Sequence, residues 1–246
     1  MASEAQQKVR ELFNSNVNDS VLVYEFNLFD RSVTQKLWAA KYYYDEIVSL
    51  DIRKFWEQSV TTSIQSSDSY TAAPQAQGLN LERYSSYVHL LLDGFFMNSM
   101  SALDTFAHQV FLLYIFPQKP SRIYVWTARK KLSESHPNSK LVRLLDTQIG
   151  QTWFDQFQQF RNCTAHESLI GCGKVEISYD PITKLLVGSH IKLPDDPRSR
   201  PFTYRKRREA TRYCRSILRN INSLVTKSYD SILLDIRRAN NAFPIA

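Results

Sequence analysis

The stretch from Asn80 to Phe116 restricts this chain more than any other. Leu81, Tyr84, Val88, Leu91, Leu92, Phe95, Phe96, Leu103, Phe106, Ala107, Val110, Leu113 and Tyr114 recur at steps of mostly three and four. That period predicts one long helix with a broad apolar face, and Pro117, which has no amide hydrogen to donate, stops it. Such a face needs other helices to cover it. The chain offers them: an aromatic-rich amphipathic run from about Tyr24 to Val60, shorter pieces at Leu141 to Ile149 and Thr152 to Ser168, and a last helix from about Tyr204 to Arg238.

Between these runs the signals change. The first twenty residues are polar, fitting a loose arm or a short helix, and Thr61 to Gln77, rich in Ser, Thr and Gln with Pro74, reads as a mobile loop. Pro117 to Pro137 is a basic connection with a short helical piece. After Gly171 and Gly173 the period becomes two, and Asp180-Pro181-Ile182-Thr183 supplies a turn, which predicts a β-hairpin at about 174–193. Pro194, Pro197 and Pro201 then make a stiff linker. The expected architecture is mainly α, a single domain over 1–246. An N-terminal arm and aromatic helix (1–77) are added to a helical core at 80–240 that carries the hairpin.

Six glycines and 43% hydrophobic residues favour a helical globular protein over a disordered one or a sheet. The net charge of +7 points to an anionic partner without naming it. Cysteines 163, 172 and 214 are odd in number and lack CxxC spacing, so no zinc site or disulfide framework is expected and a reducing compartment fits. The N-terminus lacks the charged-then-apolar pattern of a signal peptide, and no apolar run reaches a membrane span. A soluble cytoplasmic protein, without membrane attachment, cofactor or metal, is the expectation.

The polar end of the 152–168 helix is where chemistry concentrates. Trp153, Phe154, Phe157 and Phe160 form an aromatic stripe, and Arg161-Asn162-Cys163-Thr164-Ala165-His166 follows. At about 100° per residue, Asn162 and His166 share a face while Arg161 and His166 stand roughly 140° apart. One cleft can hold all three if it is wide, if the helix loosens near Gly171, or if a second chain completes it. Cys163 reads as a small filler rather than a nucleophile, since no second histidine or acid stands near it in sequence to activate it.

Three other features have more than one reading each. Ser101, Asp104 and His108 lie on one face of the long helix, as a solvated face, a satisfied Asp–His pair, or support for the site. Tyr42-Tyr43-Tyr44 could stack bases, but three adjacent helical positions face three ways, which suits core-and-rim packing. Arg205, Arg208, Arg212, Arg215 and Arg219 step by three and four within roughly an 80° sector, a phosphate-binding stripe or a solvated face with counterions.

Arg161-Asn162-x-x-x-His166 resembles the R-[polar]-x(3–5)-H signature of the HEPN superfamily (higher eukaryotes and prokaryotes nucleotide-binding), here also at the end of an apolar helix. Ser101-Ala102-Leu103-Asp104-x-x-Ala107-His108 on the preceding long helix is similar to a stretch in several branches of that family. The resemblance covers roughly 80–240 and implies a HEPN-like helical bundle, commonly a homodimer with two motifs facing across the interface. It implies a metal-independent endoribonuclease of toxin, abortive-infection or phage-defence systems, with Arg161, His166 and Asn162 catalytic and Asp104 and His108 in support. RNA is then the substrate and the arginine stripe its guide, with a neutralising antitoxin or another protein as partner. One departure is Ser168, where the subclass silenced by adenylylation has tyrosine. The alternative is a non-catalytic HEPN-like module that binds RNA, a nucleotide or a protein partner.

Overall fold

A computed structural model of the chain describes residues 3–52, 73–114, 123–166, 173–182 and 186–239. The fold is mainly helical with one small antiparallel sheet. Among the described residues the helices are α1 (Glu4–Asn16), α2 (Ser20–Ser49), α3 (Ala73–Tyr114), α4 (Val125–Ser135), α5 (Lys140–Ile149), α6 (Thr152–His166) and α7 (Ala210–Arg238). The strands are β1 (Lys174–Tyr179), β2 (Leu186–Leu193) and β3 (Arg208–Glu209), in the order β1-β2-β3. No helix among the described residues is long and apolar enough to cross a membrane.

The polar N-terminus is a helix, because Ser3 caps it by accepting the Gln6 amide at 3.1 Å and because it buries Val9 and Phe13. The sequence placed a loop up to Gln77, yet α3 already runs from Ala73. Pro74 falls in its first turn, where a missing amide costs nothing. Residues 53–72, which hold the rest of the expected loop and the end of the expected aromatic helix, lie outside the described residues. The final helix is also corrected: it begins at Ala210, and residues 204–209 form a turn and the short strand β3, which the sequence did not foretell. The hairpin stands as expected, Lys174 opposite Lys192 through Ser178 opposite Gly188, with an Asx turn in which Asp180 Oδ1 accepts the Ile182 amide at 2.9 Å.

The residues divide into two compact units interleaved along the chain: 1–41, 96–158 and 216–246 in the first, 42–95 and 159–215 in the second. Among the described residues, the regular elements of the first are all helices. Phe13 stacks on Phe26 (4.2 Å between centroids) and Phe106 meets Tyr229 edge-on at 5.5 Å in its core. Two buried aspartates tie its segments together. Asp30 accepts from Gln6 at 2.8 Å, from Arg10 and Gln109 at 3.3 Å, and from Tyr229 at 3.4 Å. Asp235, on α7, accepts from Tyr114 at 3.0 Å, from Ser139 at 2.6 Å, and from the amides of Lys140 and Leu141. It thus reinforces Ser139 as the N-cap of α5.

In the second unit Ile191 and Leu193 of the sheet are buried, as are the helical residues Tyr84, Val88, Phe95 and Phe160. Tyr84 Oη bonds Ser189 Oγ at 2.8 Å. Gly94 is required here, since a β-carbon would stand 2.4 Å from the Tyr43 ring. Tyr43 is therefore packed, Tyr44 Oη accepts from Arg215 Nε at 2.8 Å, and Tyr42 is exposed. The three tyrosines face three ways, as core-and-rim packing requires.

Candidate functional site

The aromatic stripe on α6 does what its spacing promised. Phe154, Phe157 and Phe160 are at most 1% exposed, and their burial fixes the helix that carries Arg161, Asn162 and His166. All three lie in the second unit, and α6 remains helical through His166. Positions 161 and 166 therefore stand about 140° apart around the helix axis. The side chain of His166 and residues 167–172, including Gly171, lie outside the described residues.

Arg161 is half-buried. Its Nη1 donates to Asn162 Oδ1 at 3.0 Å, while its Nε is buried with no hydrogen-bond partner. Asn162 is exposed, and its carbonyl oxygen is thus engaged by the guanidinium, leaving its amide group outward. Next to them, Cys163 is buried with its thiol donating to Pro197 O at 3.4 Å, the filler role expected of it.

Two buried side chains that the sequence reading missed belong to this unit. Asp93, 7% exposed, sits one helical turn beyond His89 on α3 and meets Thr164 of the motif helix. Burial pushes its carboxyl up to about 6, against the pull of the Thr164 hydroxyl. That hydroxyl also donates to Phe160 O at 2.9 Å, so its single proton is contested. His89 Nε2 lies 2.8 Å from Gly173 O, and because a carbonyl only accepts, Nε2 carries a proton there. His89 Nδ1 and Asp93 Oδ2 are buried with no hydrogen-bond partner. An acid and a histidine four apart inside an otherwise apolar run was the signal that could have found them.

Asp104 and His108 belong to the first unit. There Asp104 Oδ1 accepts the Val125 amide at 3.4 Å, and the His108 ring stacks on Phe29 at 4.9 Å. Burial, opposed by the charge of Asp104, lowers the Lys36 ammonium below its ordinary value, and that group donates to Thr105 Oγ1 at 2.6 Å.

The arginine stripe is not one helical stripe. Only Arg212, Arg215 and Arg219 are on α7, and Arg219 falls in the first unit. Arg205 lies in the turn before β3, because Asp195 captures the amides of Arg205 (2.9 Å) and Lys206 (2.8 Å) and the Thr203 hydroxyl (2.8 Å). Arg208 lies in β3 opposite Leu193. Its guanidinium lies 5.5 Å from the Phe160 ring centroid and 5.2 Å from that of Tyr213, with Nη1 donating to Pro194 O at 3.2 Å. Arg208, Arg212, Arg207, Lys192 and His190 line a cleft of about 450 Å³ with Glu209 and Tyr213. Among the described residues no three of His, Cys, Asp and Glu stand so as to hold a metal ion.

Comparison with protein-family models, curated proteins and solved structures returns no match.

Proposed function

We propose that this chain is a HEPN-type endoribonuclease that cuts RNA without a metal, acting in the cytoplasm as a homodimer. The observation that carries this reading is the Arg161–Asn162 pair on an unbroken helix that also presents His166, anchored by three buried phenylalanines. RNA contains its own nucleophile. The 2′-hydroxyl attacks the adjacent phosphorus, the bond to the 5′-oxygen breaks, and a 2′,3′-cyclic phosphate and a 5′-hydroxyl remain. The reaction needs a group that takes the 2′-proton, one that protonates the leaving oxygen, and positive charge on the phosphorane. Histidine titrates near neutrality, so His166 serves in proton transfer. Arg161 stays charged and binds the phosphate through its fork, and Asn162 holds that fork and offers its amide to a phosphate oxygen. Because Arg161 and His166 diverge on the helix, a second motif across a two-fold axis supplies the opposite side of the phosphate. A toxin or phage-defence setting, with a neutralising partner, belongs to this same proposal.

The test is degradation of labelled RNA in EDTA by wild type and by His166→Ala. Cleavage lost in the variant supports the assignment, and equal cleavage by both removes it. A second reading is favoured by the basic cleft, which can hold an anion whether or not His166 acts. In that case the protein is a HEPN-like module that binds RNA, a nucleotide or a protein partner without cutting.

A further inference from the structure

The cleft between β2, the 203–207 turn and the first turn of α7 brings five groups that carry or can acquire positive charge against one acid. They are His190, Lys192, Arg207, Arg208 and Arg212, with Glu209. Like charges this close repel one another, and nothing in the helical core requires them here. Yet the arrangement is held in place from several sides. Asp195 accepts two turn amides and the Thr203 hydroxyl; although burial opposes ionisation, these bonds keep its carboxyl below the usual range. The turn forces Arg207 to φ +48°, a left-handed conformation that a residue with a β-carbon adopts only when its surroundings impose it. Two aromatic rings and the Pro194 carbonyl fix Arg208.

Among the described residues, the acids nearby leave Arg207 of the cleft without an ion pair. Glu209 pairs with Arg212 at 3.0 Å, but the Arg212 side chain is 86% exposed, so that pair is weak and readily exchanged for a better anion. Glu176 is shared between Lys192 and Lys174 on the sheet. Arg207 is exposed and makes no ion pair among the described residues.

We propose that this cleft is a phosphate-ester binding site, built by the hairpin, its proline-rich linker and the start of α7. Guanidinium forks match the oxygens of a phosphate in pairs, which a single exposed lysine cannot do. The phosphate arrives either on a single-stranded RNA or on a free nucleotide. The site binds phosphate by its own charge and does not depend on cleavage at Arg161 and His166. Arg208, lying over Phe160, nevertheless puts it beside the residue that precedes the motif.

The test uses the full chain and a fluorescent single-stranded RNA carrying 2′-O-methyl at every position, which cannot be cut by its own hydroxyl. Binding is read by anisotropy across a salt series for wild type, for Arg207→Gln with Arg212→Gln, and for Arg31→Gln with Arg143→Gln. The last pair removes the same charge from exposed positions outside the cleft. The cleft pair should weaken binding about tenfold or more and reduce the salt slope by about 1.4, with the control pair changing affinity roughly twofold at most. Arg207→Gly, which relieves the left-handed backbone while removing one charge, should give about half that change in salt slope if the Gln pair misfolds. ATP and inorganic phosphate are titrated in parallel. ATP bound by wild type and lost in the cleft variants identifies a free nucleotide, and RNA binding that ATP cannot displace identifies a strand. Equal losses in cleft and control pairs, or binding of neither RNA nor ATP, overturns the proposal. Because this RNA resists cleavage, failure here leaves the ribonuclease reading standing, and failure of cleavage leaves this site standing.

Discussion

Arg161 donates through Nη1 to Oδ1 of its own neighbour, Asn162, at 3.0 Å. Adjacent residues on a helix diverge by about 100°, and this bond ties the two side chains together across that angle. Asn162 thereby aims the charge that the proposed reaction uses. Arg161→Ala and His166→Ala should each lose on the order of a hundredfold or more in RNA cleavage rate, the scale of losing a charge clamp or an acid–base group. Asn162→Ala should lose less, since the arginine remains. An RNA with a single 2′-deoxy residue at the cut position should resist completely. Equal cutting of that RNA, or loss of activity in EDTA, would sink the mechanism.

The divergence of Arg161 and His166 gives the second expectation, that the active species is a homodimer whose interface includes 161–166. Light scattering at micromolar concentration, combined with a mixing experiment, checks it. An Arg161→Ala chain mixed with a His166→Ala chain should regain part of the activity, because one composite site keeps both wild-type side chains. A strictly monomeric protein with full activity rules the arrangement out.

Asp93 predicts a pH dependence of stability. Its carboxyl titrates near 6 when folded and near 3.8 otherwise, so the folded protein binds that proton more tightly. Stability from this group is fully present below about pH 4 and is lost as pH rises through about 6. Asp93→Asn removes the effect. Its advantage over wild type, measured by urea unfolding at several pH values, should grow between about pH 4 and about pH 6 and then level off, at up to about 3 kcal/mol. An advantage that stays flat across this range would show that Asp93 ionises normally.

Gly94 gives a packing prediction. Alanine at a helical glycine gains about 1 kcal/mol in propensity. Here the new β-carbon would stand 2.4 Å from the Tyr43 ring, and displacing a packed ring costs typically 1–3 kcal/mol. The overlap with three ring atoms should win, so Gly94→Ala should lower the melting temperature. Adding Tyr43→Ala should return part of the loss. A melting temperature raised by Gly94→Ala alone would mean the ring simply swings aside.

The helices were legible because α3, α6 and α7 bury apolar faces at the steps the side chains display, as Phe154, Phe157 and Phe160 illustrate. The start of α7 was not. Arg205 and Arg208 continue the three-and-four spacing of Arg212, Arg215 and Arg219, and charged residues that face solvent carry the same period in a helix and in a turn that mimics it. What ends the helix is Asp195, ten and eleven positions earlier, taking two amides. That contact is tertiary and leaves no local pattern. Arg161, Asn162 and His166 stood out because polar groups follow an apolar stripe. Asp93 and His89 did not, because they sit within one, and Leu91 and Leu92 between them carry the helical signal alone.

The Asp235 carboxylate has a consequence for how the chain is made. It caps α5 from 94 to 96 positions downstream, while Asp30 reaches Tyr229 across 199. Segments synthesised first therefore wait for a helix synthesised late, and contacts at such separation form slowly. On the ribosome, the early helices must remain without their partners on α7 until that helix has left the exit tunnel. Nascent chains stalled before residue 216 should be open to protease throughout their first 41 residues, and should become resistant only once Asp235 has emerged.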